Sequence, residues 1–129
     1  MKLPLIPISW GELFDKITIL QIKLENIKEK NALKNVKTEH DQLCSIFNKV
    51  FFENTTANQL MNDLKLINQK LWNIEDLIRD KERNKVFDTE FIELARKVYF
   101  TNDERSRIKR NINETFGSEL IEEKSYADY

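Results

Sequence analysis

Ser9-Trp10-Gly11-Glu12-Leu13-Phe14-Asp15-Lys16-Ile17-Thr18-Ile19-Leu20-Gln21-Ile22-Lys23-Leu24-Glu25-Asn26-Ile27 is the stretch that sets the fold class. Ser9 and Glu12 stand three apart as the N-cap and N3 of a capping box, with Ile8 and Leu13 placed as the hydrophobic staple over it. Leu13, Ile17, Leu20, Leu24 and Ile27 then step by four, three, four and three. That is the seam of a helix packed against others at a shallow angle. Trp10, Phe14, Ile19 and Ile22 widen the apolar surface, so this first helix is expected to lie centrally, touch two neighbours and end near Lys30.

Working outward, the same periodicity recurs three times. A second helix is expected from about Ala32 to Phe52, with Leu33, Val36, His40, Leu43, Phe47 and Val50 on its stripe. Glu53-Asn54-Thr55-Thr56-Ala57 reads as a loop, with Thr55 or Thr56 as the next N-cap. The third helix carries Leu60, Leu64, Ile67, Leu71, Ile74 and Ile78 and ends near Asn84. Asp88 caps the fourth, and Gly117 is the glycine placed to end it in the left-handed region. Toward the N-terminus, Pro4 and Pro7 hold residues 1–8 open while Leu3, Leu5, Ile6 and Ile8 offer apolar contacts. The expected architecture is an all-α antiparallel four-helix bundle in a single domain over 1–129. It has an extended N-terminal arm, a bent or split last helix, and a partly mobile tail at 118–129.

Composition narrows the function classes. Both prolines lie in the first seven residues, so nothing of that kind interrupts the helices. The 21 basic and 22 acidic side chains leave a net charge of -1, which supplies no electrostatic footprint for nucleic acid or an anionic membrane. One cysteine, Cys44, and one histidine, His40, make neither an internal disulfide nor a metal framework. The N-terminal MKLPLIPIS is too short and proline-broken for a signal sequence, and no run approaches a membrane span. A cytoplasmic protein with no membrane partner and no cofactor is the expectation.

Candidate functional residues come from places where polar groups fall on apolar stripes. Following Phe91, Ala95 and Val98 forward at steps of three and four lands on Asn102, Arg105 and Lys109 before Ile112 and Phe116 return. Thr101-Asn102-Asp103-Glu104 is itself a capping-box pattern, which would divide the helix into 88–100 and 102–115. All six arginines fall between positions 79 and 110, and arginine brings a planar fork of donors suited to carboxylates and phosphates. Trp72, Glu75, Asp76 and Arg79 share one helical face. Glu75 and Asp76 are expected opposite Arg96, Arg105 or Lys109, as a charge network. On the first helix Asp15 lies on an inward stripe where it can meet a neighbour's arginine, and Glu12–Lys16 is an i,i+4 pair. His40 with Cys44 one turn later has the spacing of a base and nucleophile, but a structural histidine and a small core cysteine explain it more simply. Glu12, Asp15, Glu75 and Asp76 lack the double Glu-x-x-Glu pattern with which all-α nucleotide pyrophosphohydrolases hold Mg²⁺, so no metal site is expected.

Ser9-x-Gly11-Glu12-Leu13-x-Asp15-Lys16-x-Thr18-Ile19-Leu20-x-Ile22-Lys23, Leu71-Trp72-x-Ile74-Glu75-Asp76, Glu93-Leu94-Ala95-Arg96-x-Val98-Tyr99-x-Thr101-Asn102-Asp103-x-Arg105, and Lys109-Arg110-x-Ile112-Asn113 with Glu122-Glu123-Lys124-Ser125-Tyr126 occur in that order. Together they resemble a family of small bacterial and phage proteins, domain of unknown function 6165. The resemblance spans nearly the whole chain except about 31–60. It implies a stand-alone cytosolic protein and carries no assigned activity, but its blocks coincide with the polar clusters above. It therefore supports a shared polar surface built from helices one, three and four.

The function expected is that of a non-enzymatic interaction or assembly module, a homodimer through the arm or the central helices. The other reading is a binding protein or small enzyme for an anionic metabolite such as a nucleotide or sugar phosphate. Its ligand-binding residues would be drawn from Asp15, Lys16, Trp72, Glu75, Asp76, Arg79, Arg96, Asn102, Asp103, Arg105 and Lys109. Arg96, Arg105 and Lys109 would hold the anion, with Glu75, Asp76 or Asp15 as acid and base. Whether the chain is an enzyme stays open at this level.

Overall fold

The computed structural model describes residues 1–129 as four α-helices with no strand: α1 Trp10–Asn26, α2 Lys30–Phe51, α3 Thr55–Arg83 and α4 Thr89–Thr115. No helix is long and apolar enough to cross a membrane. Each helix starts on a side-chain cap. Ser9 accepts from the Glu12 N–H at 3.1 Å, Glu29 from those of Asn31 and Ala32, Asn54 from Ala57 at 2.9 Å, and Asp88 from Phe91 at 3.0 Å. The cap of α3 is thus Asn54 rather than Thr55 or Thr56, and α1 stops at Asn26, a turn before Lys30. Gly117 has φ +63 and lets the Ser118 N–H return to the Asn113 carbonyl at 2.8 Å, the long bond of a Schellman motif. Lys85, φ +56, does the same after α3: its N–H bonds Glu82 and that of Val86 bonds Lys81.

α1 packs against all three other helices, and α3 and α4 also pack on one another. The core joins Leu13, Phe14 and Ile17 of α1 to Phe47 and Phe51 of α2, Leu60, Met61 and Leu64 of α3, and Ile112 of α4. Phe14 sits at its centre, with ring centroids 5.1 Å from Phe47, 5.3 Å from Phe51 and 5.9 Å from Phe116. α2 is held mainly at its C-terminal end. Phe47 and Phe51 are its buried residues, whereas Val50, which the stripe placed inward, is exposed. At about 1.5 Å per residue α1 spans roughly 26 Å and α3 roughly 44 Å. The far parts of α3 and α4 therefore run beyond α1, with Ile74 and Leu94 buried there.

α4 is not split. It runs without interruption from Thr89 to Thr115, and Thr101, read as a cap, is a core residue only 1% exposed. The buried residues Leu94, Thr101 and Ile112, with the half-buried Val98, Arg105 and Ile108 between them, set the inward line of α4. The capping-box letters are present, but burial of Thr101 within a continuous helix outweighs the local preference of its hydroxyl for a terminus. Residues 1–8 carry no regular secondary structure and are all exposed.

Candidate functional site

The polar residues that interrupt the inward face of α4 meet their counterparts on α1. Asp15 is 1% exposed, and Arg105 approaches it with both arms of its fork: Nε donates to Oδ1 at 2.9 Å and an Nη to Oδ2. Asn68 of α3 donates to the same Oδ1 at 2.9 Å and to the Thr18 hydroxyl at 2.9 Å, while Thr18 donates to the Asp15 carbonyl. One turn on, Lys109 donates to Glu12 at 2.9 Å and to Glu122 of the C-terminal segment at 3.2 Å, and lies 3.9 Å from Asp15. No buried side-chain polar atom is left without a partner. The cost of burying a carboxylate is thereby offset by a bidentate cation and an amide.

These partners set the charge states. Hydrogen bonding to Asp15 raises Arg105 above its ordinary value in spite of burial. Burial pulls the Lys109 ammonium down, but the Glu12 hydrogen bond and the charges of Asp15 and Glu12 outweigh it, so it too ends raised. Lys124 and Lys109 hold the Glu122 carboxyl below its usual value. All of these groups are charged at neutral pH.

The same corner seals the start of α1. The Trp10 N–H donates to the Ser118 hydroxyl at 2.9 Å, that of Gly11 to Asn113 Oδ1 at 2.7 Å, and that of Glu12 to Ser9. The amides that a helix N-terminus leaves free, and could offer to an anion, are thus taken up by side chains. Gly11 is required by the approach of α4: a Cβ there would lie 2.6 Å from the Lys109 carbonyl oxygen.

Two recesses flank this network and meet at Asn102 and Arg105. One, about 520 Å³, has Ile19, Ile22, Leu71 and Trp72 as its apolar floor and Asn68, Glu75, Asp76, Arg79, Asn102 and Arg105 as its polar rim. The other, about 770 Å³, lies between α4 and the C-terminal segment, with Tyr99, Tyr126 and Tyr129 among its walls. In it the Tyr129 hydroxyl donates to the Asp103 carboxylate, which pushes the Tyr129 phenol up to about 12. The Tyr129 ring also lies 5.3 Å from Tyr99 and 4.9 Å from Phe100.

The structure therefore brings together Trp72, Glu75, Asp76, Arg79, Asn102 and Arg105 around one recess, with Asp15 buried behind Arg105 and Asp103 and Lys109 in the neighbouring recess. Two candidates lie apart. Lys16 points toward α2, 3.9 Å from Glu39, so the Glu12–Lys16 pair gives way to Glu12–Lys109. Arg96 is exposed and stacks over Phe100 at 5.7 Å. Arg105 and Lys109 face Asp15 and Glu12 on α1 rather than Glu75 and Asp76 on α3. Glu75 pairs with its neighbour Arg79, and Asp76 has no ion-pair partner. Asn68 was not singled out from the sequence, and Asn113 and Glu122 entered only through the family resemblance, with no role given to them. Asn68 carried a signal, since it follows Leu64 at the step of four on an otherwise apolar stripe.

Cys44 Sγ lies 3.3 Å from His40 Nε2, and Asp41 Oδ1 3.4 Å from Nδ1. Burial, and then the Asp41 charge, push the Cys44 thiol up, so it stays protonated at neutral pH and is a poor nucleophile. No three His, Cys, Asp or Glu side chains converge where they could hold a metal ion.

One family model matches residues 4–129, with the description "Family of unknown function (DUF6165)". Comparison with curated proteins and with solved structures finds no match.

Proposed function

The chain belongs to DUF6165, a family of unknown function, and we propose that it is an interaction and assembly module that associates with a second copy of itself. One observation carries this reading. The chain exposes 9370 Å², whereas a compact monomer of its 15.4 kDa is expected to expose only about 7,200 Å². The excess is of the size that a subunit buries in a stable homodimer, about 1,000–2,500 Å² from each partner. It includes large apolar side chains: Leu3, Leu5 and Ile6 before α1, and Leu66, Leu77 and Ile92 on the outer faces of α3 and α4. A second copy that covered these side chains would remove both the apolar exposure and the excess area.

In this reading residues 1–8 are an extended arm on an antiparallel bundle, and the Asp15–Arg105–Lys109 network is a latch that fixes α4 and the C-terminal segment against α1. The free cysteine Cys44 suits a reducing, cytoplasmic setting. Binding of an anionic metabolite draws less support, because Arg105 and Lys109 already carry carboxylate partners and Arg96 stands apart from them. Light scattering on the full chain over a dilution series tests the proposal. A mass above that of one chain, falling on dilution, is expected; one chain's mass throughout rejects it.

A further inference from the structure

The recess at Trp72 has the chemistry to receive a particular kind of chain segment, and this chain carries such a segment. Its floor is apolar and half-buried (Ile19, Leu71, Trp72), and its rim holds Asp76, exposed and without a counter-charge. Residues 2–8 read Lys-Leu-Pro-Leu-Ile-Pro-Ile. Pro4 and Pro7 stand three apart, one turn of a polyproline II helix, with a lysine ahead of them. Proline-spaced segments dock into grooves walled by aromatic side chains because the stiff backbone loses little entropy on binding. Here Leu3, Leu5 and Ile6 supply apolar side chains that nothing in their own chain covers. Lys2 supplies the charge that Asp76 lacks.

We propose that residues 2–8 of one copy dock into the Trp72–Asp76 groove of a second copy, Lys2 against Asp76 and the proline-bounded apolar residues along Trp72, Leu71 and Ile19. This rests on the self-association reading and names its contact. The lengths agree. Seven residues in polyproline II extend about 20 Å at ~3.1 Å each. The groove runs along α3 from Asn68 to Arg79, about 16 Å at ~1.5 Å per residue. Docking within one chain would fill the groove only in part. Ile19 lies roughly 15 Å along α1 from Ser9, so an arm folding back would use most of its reach before entering the groove. An exchange in which each copy gives an arm and receives one is the self-complementary contact of a two-fold dimer.

Sedimentation velocity on the full chain tests this with two variants, Leu5→Asp with Ile6→Asp in the arm and Asp76→Lys in the groove. Both sites are exposed, so folding should survive, and circular dichroism checks it. The wild type is expected near twice the 15.4 kDa of one chain and each variant near 15.4 kDa. A mixture of the two variants should regain dimer, because one intact arm then meets one intact groove. A wild-type dimer that both variants preserve overturns the arm–groove contact while leaving self-association standing. Variants that dissociate but do not complement each other overturn the exchange. A wild-type monomer overturns both readings.

Discussion

A carboxylate as deeply buried as that of Asp15 costs several kcal/mol unless its lone pairs are filled, and Arg105 and Asn68 fill them. Removing its charge leaves Arg105 and Lys109 facing a neutral amide. Asp15→Asn is expected to destabilise the chain by about 2–4 kcal/mol, less than the full cost of orphaning a buried ion because Arg105 keeps some contact with water. A urea melt measures this, and a change below about 0.5 kcal/mol would show the pair to be ornamental. Tyr129 offers a pH test of the C-terminal contact. Its phenol is raised by donating to Asp103, so the stability it lends is present below its ordinary value of 10.0 and lost as the pH rises through about 12. Tyr129 is expected to ionise late in an ultraviolet titration of the wild type, and that late step to vanish in Tyr129→Phe. Late ionisation that survives the substitution would assign it elsewhere.

The elements themselves were largely written in local signals. Capping residues at Ser9 and Asp88, the terminating Gly117, and stripes at steps of three and four place four helices within a few residues of where they lie. What the stripes could not supply was pairing between helices. Arg105 and Lys109 were legible as inward-facing cations, yet choosing between Asp15 and Glu75 needs the register of α4 on α1, which depends on residues far apart in the chain. Gly11 helps to set that register. It lets the Lys109 backbone approach α1 more closely than any side chain would permit, and Asn113 bonds across the contact. Gly11→Ala should gain about 1 kcal/mol of helix propensity on local grounds. The steric conflict with backbone is expected to reverse the sign, for a net loss of about 1–3 kcal/mol by thermal or urea denaturation. A stabilised variant would mean that α1 and α4 do not meet so closely. Thr101 teaches the converse: its capping letters were genuine, but tertiary burial decided its role.

At the scale of the whole molecule, a short α1 organises three longer helices and cannot cover them. α3 and α4 extend past it, α2 is anchored near one end, and the residues before Ser9 lie open. No sequence pattern announced how much of α3 and α4 stays uncovered, because periodicity reports which face of a helix is apolar and not whether the same chain covers it. The mass of the full chain in solution, followed by light scattering from high to low concentration, tests the claim of self-association most directly. Self-association predicts a value approaching twice 15.4 kDa at high concentration and descending toward one chain on dilution. A mass fixed at 15.4 kDa over the whole range would contradict it.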